Sequence, residues 1–411
     1  MLNTFQQRVH AALPGSSANE AARQEFAKSF KQFIQQEILP GVGTVYKGRA
    51  AAQFERDTGR LPEGRRDIRK AMVSDRYFRH YAAANRIAQE LLWDSVIDSI
   101  EREGEAMPAA FKACSEKNAG ELRLNPDMPV PRYVTALDIH CMPGGYAGLD
   151  GNGTAELGAL YDRGVYLYAM GYTGPDNDDI GRSVCNYVKR HYPAFKPTRI
   201  LDLGCTVGHS TLPFKELFPD AEVWGIDVAG PQLEYAHARA GALGYDVNFA
   251  QMNAEQTDFE AESFDLIVSG ILLHETSARA MPRIFNECHR LLTPGGLMIH
   301  ADLPPFTKID DFSQFLLDNE TWYNNEPFWG AMREMDQEKL AENAGFDPGQ
   351  VAFDTAPMAI MEAMAASGGY AEESVADVGD REFVAGEFAP GGGWEVLVGR
   401  KSDVAELRAA S

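Results

Sequence analysis

The stretch ILDLGCTVGHSTLPF, residues 200–214, closes an apolar run with Asp202 and two glycines, Gly204 and Gly208, before an amphipathic pattern begins. Glycines at such a turn let the backbone come close to a bound molecule, and the helix N-terminus that follows at His209 or Ser210 adds a partial positive charge. The spacing is not a dinucleotide fingerprint. That pattern needs a second glycine two residues after the first, whereas Cys205, Thr206 and Val207 separate Gly204 from Gly208. A pyrophosphate is therefore not the expected ligand. Asp202 can fix the loop or receive an ammonium group through water. Asp227, closing EVWGIDV, is placed to accept hydrogen bonds from both hydroxyls of a ribose, and Asn253 with Ala254, closing VNFAQMNA, comes within reach of an adenine ring.

Two further stretches carry groups that move protons. LLHET supplies His274 and Glu275, and IHADLPP supplies His300 and Asp302. Of these, His274, Glu275 and His300 are the candidate catalytic side chains, a histidine being able to act as general base for an oxygen, nitrogen or acidic carbon acceptor. Each also has a structural alternative as a helix cap or core residue. His274, Glu275 and Asp302 form no tight ligand motif, so no metal is expected. The segment FSQFLLDNETWYNNEPFWGAMREMD is unusually aromatic for a connection. Its Trp322, Tyr323, Asn324, Asn325 and Trp329 are candidates for holding an organic acceptor of moderate size, or else for a hydrophobic plug or subunit contact.

The elements that must position these groups follow from periodicity. Residues 1–125 read as a helical domain, with helical spacing over 19–38, ending before Pro40, and over 66–103. Proline and glycine then cluster, marking a linker and cover segment at 126–160. From there strands alternate with helices: TRILDLG, EVWGIDV, VNFAQMNA, SFDLIVSGIL and LMIHADL read as parallel strands. This predicts a doubly wound α/β sheet over 161–403, with an aromatic insertion at about 303–336, and such sheets bind ligands at the carboxyl ends of their strands.

Composition limits the partners. The 411 residues carry 38 basic and 60 acidic side chains, a net charge of −22, which argues against a nucleic-acid or anionic-membrane partner. No apolar run approaches a membrane span and MLNTFQQRVHAALPG lacks the apolar core of a signal peptide, so a cytoplasmic protein is expected. Five scattered cysteines, Cys114, Cys141, Cys185, Cys205 and Cys288, predict free thiols with neither disulfides nor structural zinc.

In order, ILDLGCTVG, WGIDV, QMNAEQTDF, SFDLIVSGILLHE and HRLLTPGGLMI resemble the class I S-adenosylmethionine-dependent methyltransferases, especially the ubiquinone and menaquinone biosynthesis C-methyltransferases, over roughly residues 195–302. The resemblance implies a Rossmann-like, doubly wound seven-stranded sheet and S-adenosyl-L-methionine as cofactor. It assigns the methionine portion to Asp202, Gly204, Cys205, Thr206 and Gly208, the ribose to Asp227 with Val228 beside it, and adenine to Asn253 and Ala254. Tyr161 and Tyr168 fall in a segment that in related enzymes closes over the cofactor. Thr206 stands where the family has glycine, so the loop must either tolerate a β-carbon or use the hydroxyl. The implied reaction is in-line methyl transfer to a small molecule, with no nucleic acid or membrane partner and with a homodimer left open. A regulatory sensor on the same fold and a nicotinamide oxidoreductase are the alternatives.

Overall fold

A computed structural model describes residues 6–148, 151, 153–366 and 392–403. Residues 1–5 belong to the stretch read for a leader and to the expected helical domain. Residues 149, 150 and 152 belong to the expected linker, and 367–391 to the expected α/β domain, so these parts of the expectations lie outside the described residues.

Among the described residues, eight strands form one mixed sheet: β1 (Leu122–Arg123), β2 (Arg199–Leu203), β3 (Glu222–Asp227), β4 (Asn248–Gln251), β5 (Phe264–Gly270), β6 (Leu292–Asp302), β7 (Val351–Pro357) and β8 (Gly393–Arg400). Their order is β1-β4-β3-β2-β5-β6-β8-β7, with β8 antiparallel to both neighbours. The α/β class is as expected; the strand count is eight rather than seven. The extra strand is β1, two residues at the end of the helical region that pair with Phe249 and Ala250 of β4 and stitch that region to the sheet edge. Strand order reverses between β3 and β5 about β2, so the loop after β2 opens at the switch point where such sheets bind ligands.

Both sheet faces are covered. Ile200, Val223, Leu266 and Ile299 face one buried cluster. Leu201, Ile226, Ile267 and Met298 face the other, as the period of two requires.

The helical region departs from its expected boundaries at proline. Helix Ala18–Phe33 does not stop before Pro40 but runs through a π-helical turn, Ile34–Ile38, into Leu39–Val45. The Leu39 N–H donates to the Ile34 carbonyl, closing the wider turn directly before Pro40, which has no N–H to give. The long pattern at 66–103 is broken by Asp75, whose side chain accepts from the N–H groups of Tyr77 and Phe78 and starts Arg76–Glu103. The boundary expected at 160/161 falls inside helix Glu156–Tyr168.

That helix carries the joint between the two regions. Asp162, 1% exposed, accepts from Tyr235 Oη at 2.9 Å, His209 Nε2 at 3.0 Å, Arg239 Nε at 3.2 Å and His10 Nε2 at 3.3 Å. Burial works against its charge, but Arg239 and His209 outweigh it and hold the carboxyl well below its ordinary range. Asp162→Ala would strand Arg239, itself buried, without its counter-ion. The expected loss is about 3–5 kcal/mol of stability, read by urea unfolding of the variant against the parent; a loss under about 1 kcal/mol would remove Asp162 as the joint.

Candidate active site

The carboxyl ends of β2 to β5 and the helical region above them enclose a cavity of about 1380 Å³, its mouth included. From below it is lined by Asp202, Gly204, Cys205, Thr206, Asp227, Val228, Asn253, Ala254 and Glu275. From above come Trp93, Tyr133, His140, Tyr146, Tyr161 and Tyr168. All the expected cofactor-side residues except Gly208 therefore meet at one cavity.

The loop after β2 is shaped by backbone constraints. Gly204 has φ +67°, and a β-carbon there would come within 2.5 Å of Leu272 Cδ1. The N–H groups of Gly204 and Cys205 both donate to the Ile226 carbonyl, at 2.8 and 3.0 Å. Gly208 lies outside the lining: at φ +77° it turns the chain against the Phe249 ring, 3.3 Å from where a β-carbon would stand. There it packs closely on the sheet. Thr206 adopts φ +43° despite its β-branch. Its N–H donates to Asp227 Oδ2 at 3.0 Å.

Asp227 also accepts the Ala229 N–H on Oδ1 at 2.8 Å, so each carboxylate oxygen holds one backbone donor and keeps a second acceptor position. Asn253 Oδ1 accepts the Glu255 N–H at 2.9 Å, closing a local turn at the end of β4. Asp202 is 1% exposed and takes the Thr211 hydroxyl at 2.6 Å. Burial pushes its carboxyl up to about 7, Thr211 opposing and Asp227 adding to the rise. Tyr161 stacks on His209 with centroids 5.8 Å apart, and the Lys31 ammonium lies 3.6 Å from the Tyr168 ring centroid.

At the other end, Glu275 faces the cavity and Oε1 accepts from Tyr146 Oη and His140 Nε2, both at 2.9 Å. His274 stands one layer behind, outside the lining. Its Nδ1 is 2.7 Å from Asp302 Oδ1, and its ring packs edge-on against Trp329 at 4.9 Å. Burial disfavours its charge, but Asp302, Glu275 and Glu326 outweigh burial and raise its pKa to about 9. Held on Asp302 behind the lining, the ring does not reach the cavity and is not poised as the base the sequence suggested. His300 is corrected more sharply. It is buried between β6 and helix Met281–Leu291, paired with Ser269 Oγ at 2.7 Å and packed on Phe285, and burial drives its pKa down to about 4. It touches no part of the cavity.

The aromatic insertion is corrected as well, since none of its five candidates lines the cavity. The segment folds outward onto the helical region, where Trp322, 58% exposed, lies 4.1 Å from the Arg69 guanidinium and Tyr323 5.6 Å from it. Asn325 donates to the Asp138 carbonyl at 2.8 Å and accepts from Arg86 at 3.0 Å. Trp329 is buried on His274. Asn324 donates to Glu326 Oε1 at 2.7 Å.

Glu326 and His140 are the site residues that sequence reading missed. His140 sits in a proline- and glycine-rich stretch read as linker, and Glu326 between paired amides and aromatics. In the fold, His140 Nδ1 is 2.8 Å from Glu326 Oε1 while its Nε2 meets Glu275. Burial lowers its pKa, but the two carboxylates win and hold it well above its ordinary value. Donor atoms of His140, His274, Glu275 and Glu326 lie within 4.8 Å of one another.

Residues 200–296 match the family described as Methyltransferase domain. A demethylmenaquinone methyltransferase of Thermus thermophilus is 35% identical over 109 residues, 26% of this chain and 49% of that protein. A malonyl-[acyl-carrier protein] O-methyltransferase of Legionella pneumophila is 29% identical, covering 29% and 42%. The tRNA N(3)-methylcytidine methyltransferase Mettl2 of Drosophila melanogaster is 30% identical, covering 26% and 35%. The chain spans half or less of the length of these curated relatives. Among solved structures, phosphoethanolamine N-methyltransferase 2 of Haemonchus contortus aligns with a TM-score of 0.40 and 15% identity, covering 62% of this chain and 61% of that one.

The loop geometry separates two substitutions. Gly204→Ala should cost about 1–3 kcal/mol, through positive φ and the clash with Leu272. Thr206→Gly should stay within about 1 kcal/mol of the parent, because relief of backbone strain offsets added chain entropy. Denaturant unfolding of both variants checks this, and equal destabilisation would contradict the loop as described.

Proposed function

We propose that this chain, whose residues 200–296 match the family described as Methyltransferase domain, transfers the methyl group of S-adenosyl-L-methionine to a small organic acceptor. The observation that carries this reading is the order of groups around one cavity. The Gly204 turn and Asp202 come first, then the free acceptor positions of Asp227, then Asn253 and Ala254, with Glu275, Tyr146 and His140 facing them at the acceptor end.

The residues present fit the cofactor. Asp227 has two unused acceptor positions for a pair of ribose hydroxyls, and among the described residues the buried Asp202 carboxyl has no cationic partner. Tyr146, Tyr161 and Tyr168 supply the electron-rich faces that a sulfonium prefers. Bound S-adenosylmethionine supplies an electrophilic methyl group on a positively charged sulfur. The chain's own contribution is to align the acceptor and exclude water. The roof of Trp93, Tyr133 and Tyr146 does the second, and Glu275, fixed by Tyr146 and His140, can hold a polar acceptor atom for the first.

A small acceptor is favoured over a nucleic acid because the transfer site lies under that roof and the net charge is −22. Five free, buried cysteines suit a cytoplasmic setting, and among the described residues no helix is long and apolar enough to cross a membrane. The primary test is calorimetric titration with S-adenosylmethionine, S-adenosylhomocysteine and NAD, followed by assay of S-adenosylhomocysteine release over metabolite fractions. Binding of the first two with turnover is expected. Binding of NAD alone would make the protein an oxidoreductase, and binding without turnover a sensor.

Two predictions follow from the carboxylates. Asp227→Ala removes two charge-assisted hydrogen bonds, each about 1.5–3 kcal/mol, so the dissociation constant should rise at least about tenfold with a cooperative melt retained. Unchanged affinity would take the ribose away from Asp227. Asp202, protonated below about pH 7, must lose its proton to pair with the cofactor's ammonium. Affinity should therefore rise with pH by up to about tenfold per unit below 7 and level off above it. Asp202→Asn should flatten that profile, and a pH-independent parent would refute the pairing.

A further inference from the structure

We propose that His140, His274, Glu275 and Glu326 bind one first-row divalent transition-metal ion at the acceptor end of the cavity, where an acceptor oxygen completes the coordination. The clause about the acceptor rests on the methyl-transfer reading; the ion site does not. This departs from the metal-free expectation drawn from sequence, which had neither His140 nor Glu326 in view.

The donor atoms of the four side chains all lie within 4.8 Å of one another. Ligands bound at about 2.0–2.2 Å stand about 3–4.4 Å apart, so the cluster needs only a few tenths of an ångström of contraction to close on an ion. His274 Nε2 is 3.8 Å from Glu326 Oε2 and 3.8 Å from Glu275 Oε1. Those separations are too long for hydrogen bonds and suit two ligands of one ion. Glu326 Oε2 is the independent sign of a missing occupant. Its side chain is fully buried, and that oxygen has no hydrogen-bond partner although its twin takes Asn324 Nδ2 and His140 Nδ1.

Supporting contacts hold the ligands in place. Asp302 Oδ1 takes His274 Nδ1 at 2.7 Å and leaves Nε2 turned inward, while Asp302 Oδ2 is fixed by the Leu273 N–H at 2.9 Å. This is the carboxylate–imidazole arrangement that orients metal-binding histidines. His140 and Cys141 both have positive φ, 55° and 58°, a strained pair for residues with β-carbons. The His140 carbonyl is pinned in that conformation by Trp93 Nε1 at 2.7 Å and Gln89 Nε2 at 2.9 Å. Two imidazoles with two carboxylates select zinc, iron, cobalt or manganese over magnesium and calcium. His140 and Glu275 line the cavity and His274 and Glu326 lie behind, so the cluster has one side open to an incoming oxygen.

The test uses the full chain purified without metal-affinity steps. Metal content is measured by mass spectrometry, then chelator-treated protein is titrated with Co²⁺ and its visible absorption recorded. One ion per chain, competed by Zn²⁺, is expected. Asp302→Asn should weaken Co²⁺ binding by about 10–100-fold and Glu326→Gln by at least as much, with cooperative melts retained. Acetohydroxamate, a bidentate oxygen ligand, should shift the Co²⁺ spectrum through the open side. Absence of saturable Co²⁺ binding by folded protein, or undiminished binding in Glu326→Gln, overturns the site. An unmoved spectrum with acetohydroxamate overturns the open position. S-adenosylmethionine titration of the chelated protein runs in parallel: failure there counts against methyl transfer and leaves the ion site standing.

Discussion

Glu326 and Asp302 are buried, and Glu275 half-buried, around two imidazoles, and carboxylates so placed cannot coexist without positive charge between them. Isolated burial of such charges would cost several kcal/mol each, so His140 and His274 must sit where they sit. Much of the upper structure answers to that requirement. The loop carrying His140 is bent through two left-handed residues to deliver the ring, and the insertion after β6 folds onto the helical region to deliver Glu326.

The parallel sheet supplies the opposite wall by a different logic. At the switch point beside β2, strand ends present backbone and carboxylates to one opening, and positive-φ residues Gly204 and Thr206 turn the loop beneath it. The helical region is not an appendage to this sheet. It supplies the roof from Trp93 to Tyr146, adds β1 to the sheet edge, and is locked down through His10 and Arg239 on Asp162.

What could be read in the sequence divides along the same line. Strands β2 to β6 and the residues at their ends are encoded locally, by apolar runs closing in Asp, Gly or Asn, so Asp202, Gly204, Asp227 and Asn253 were legible one motif at a time. His140 and Glu326 were not, because each has meaning only opposite the other, and the chain that joins them in space is distant in sequence. Local composition misled in the insertion, where aromatic side chains suggested ligand contact. Trp322 instead stacks on Arg69, and Trp329 seals His274. His300 shows the limit of period-two reading: it lies on the sheet face that holds helix Met281–Leu291, so its place near a strand end did not bring it to the cavity.

A single occupant is asked to join both walls, with the nucleoside on the sheet side and the reacting sulfur toward Glu275 and His140. The most direct test is a crystal structure with S-adenosylhomocysteine. The account predicts ribose hydroxyls on Asp227, adenine beside Asn253 and Ala254, and the sulfur turned to the Glu275 end beneath Tyr146. A ligand seated elsewhere, or with its ribose off Asp227 and its sulfur facing away from Glu275, would contradict it.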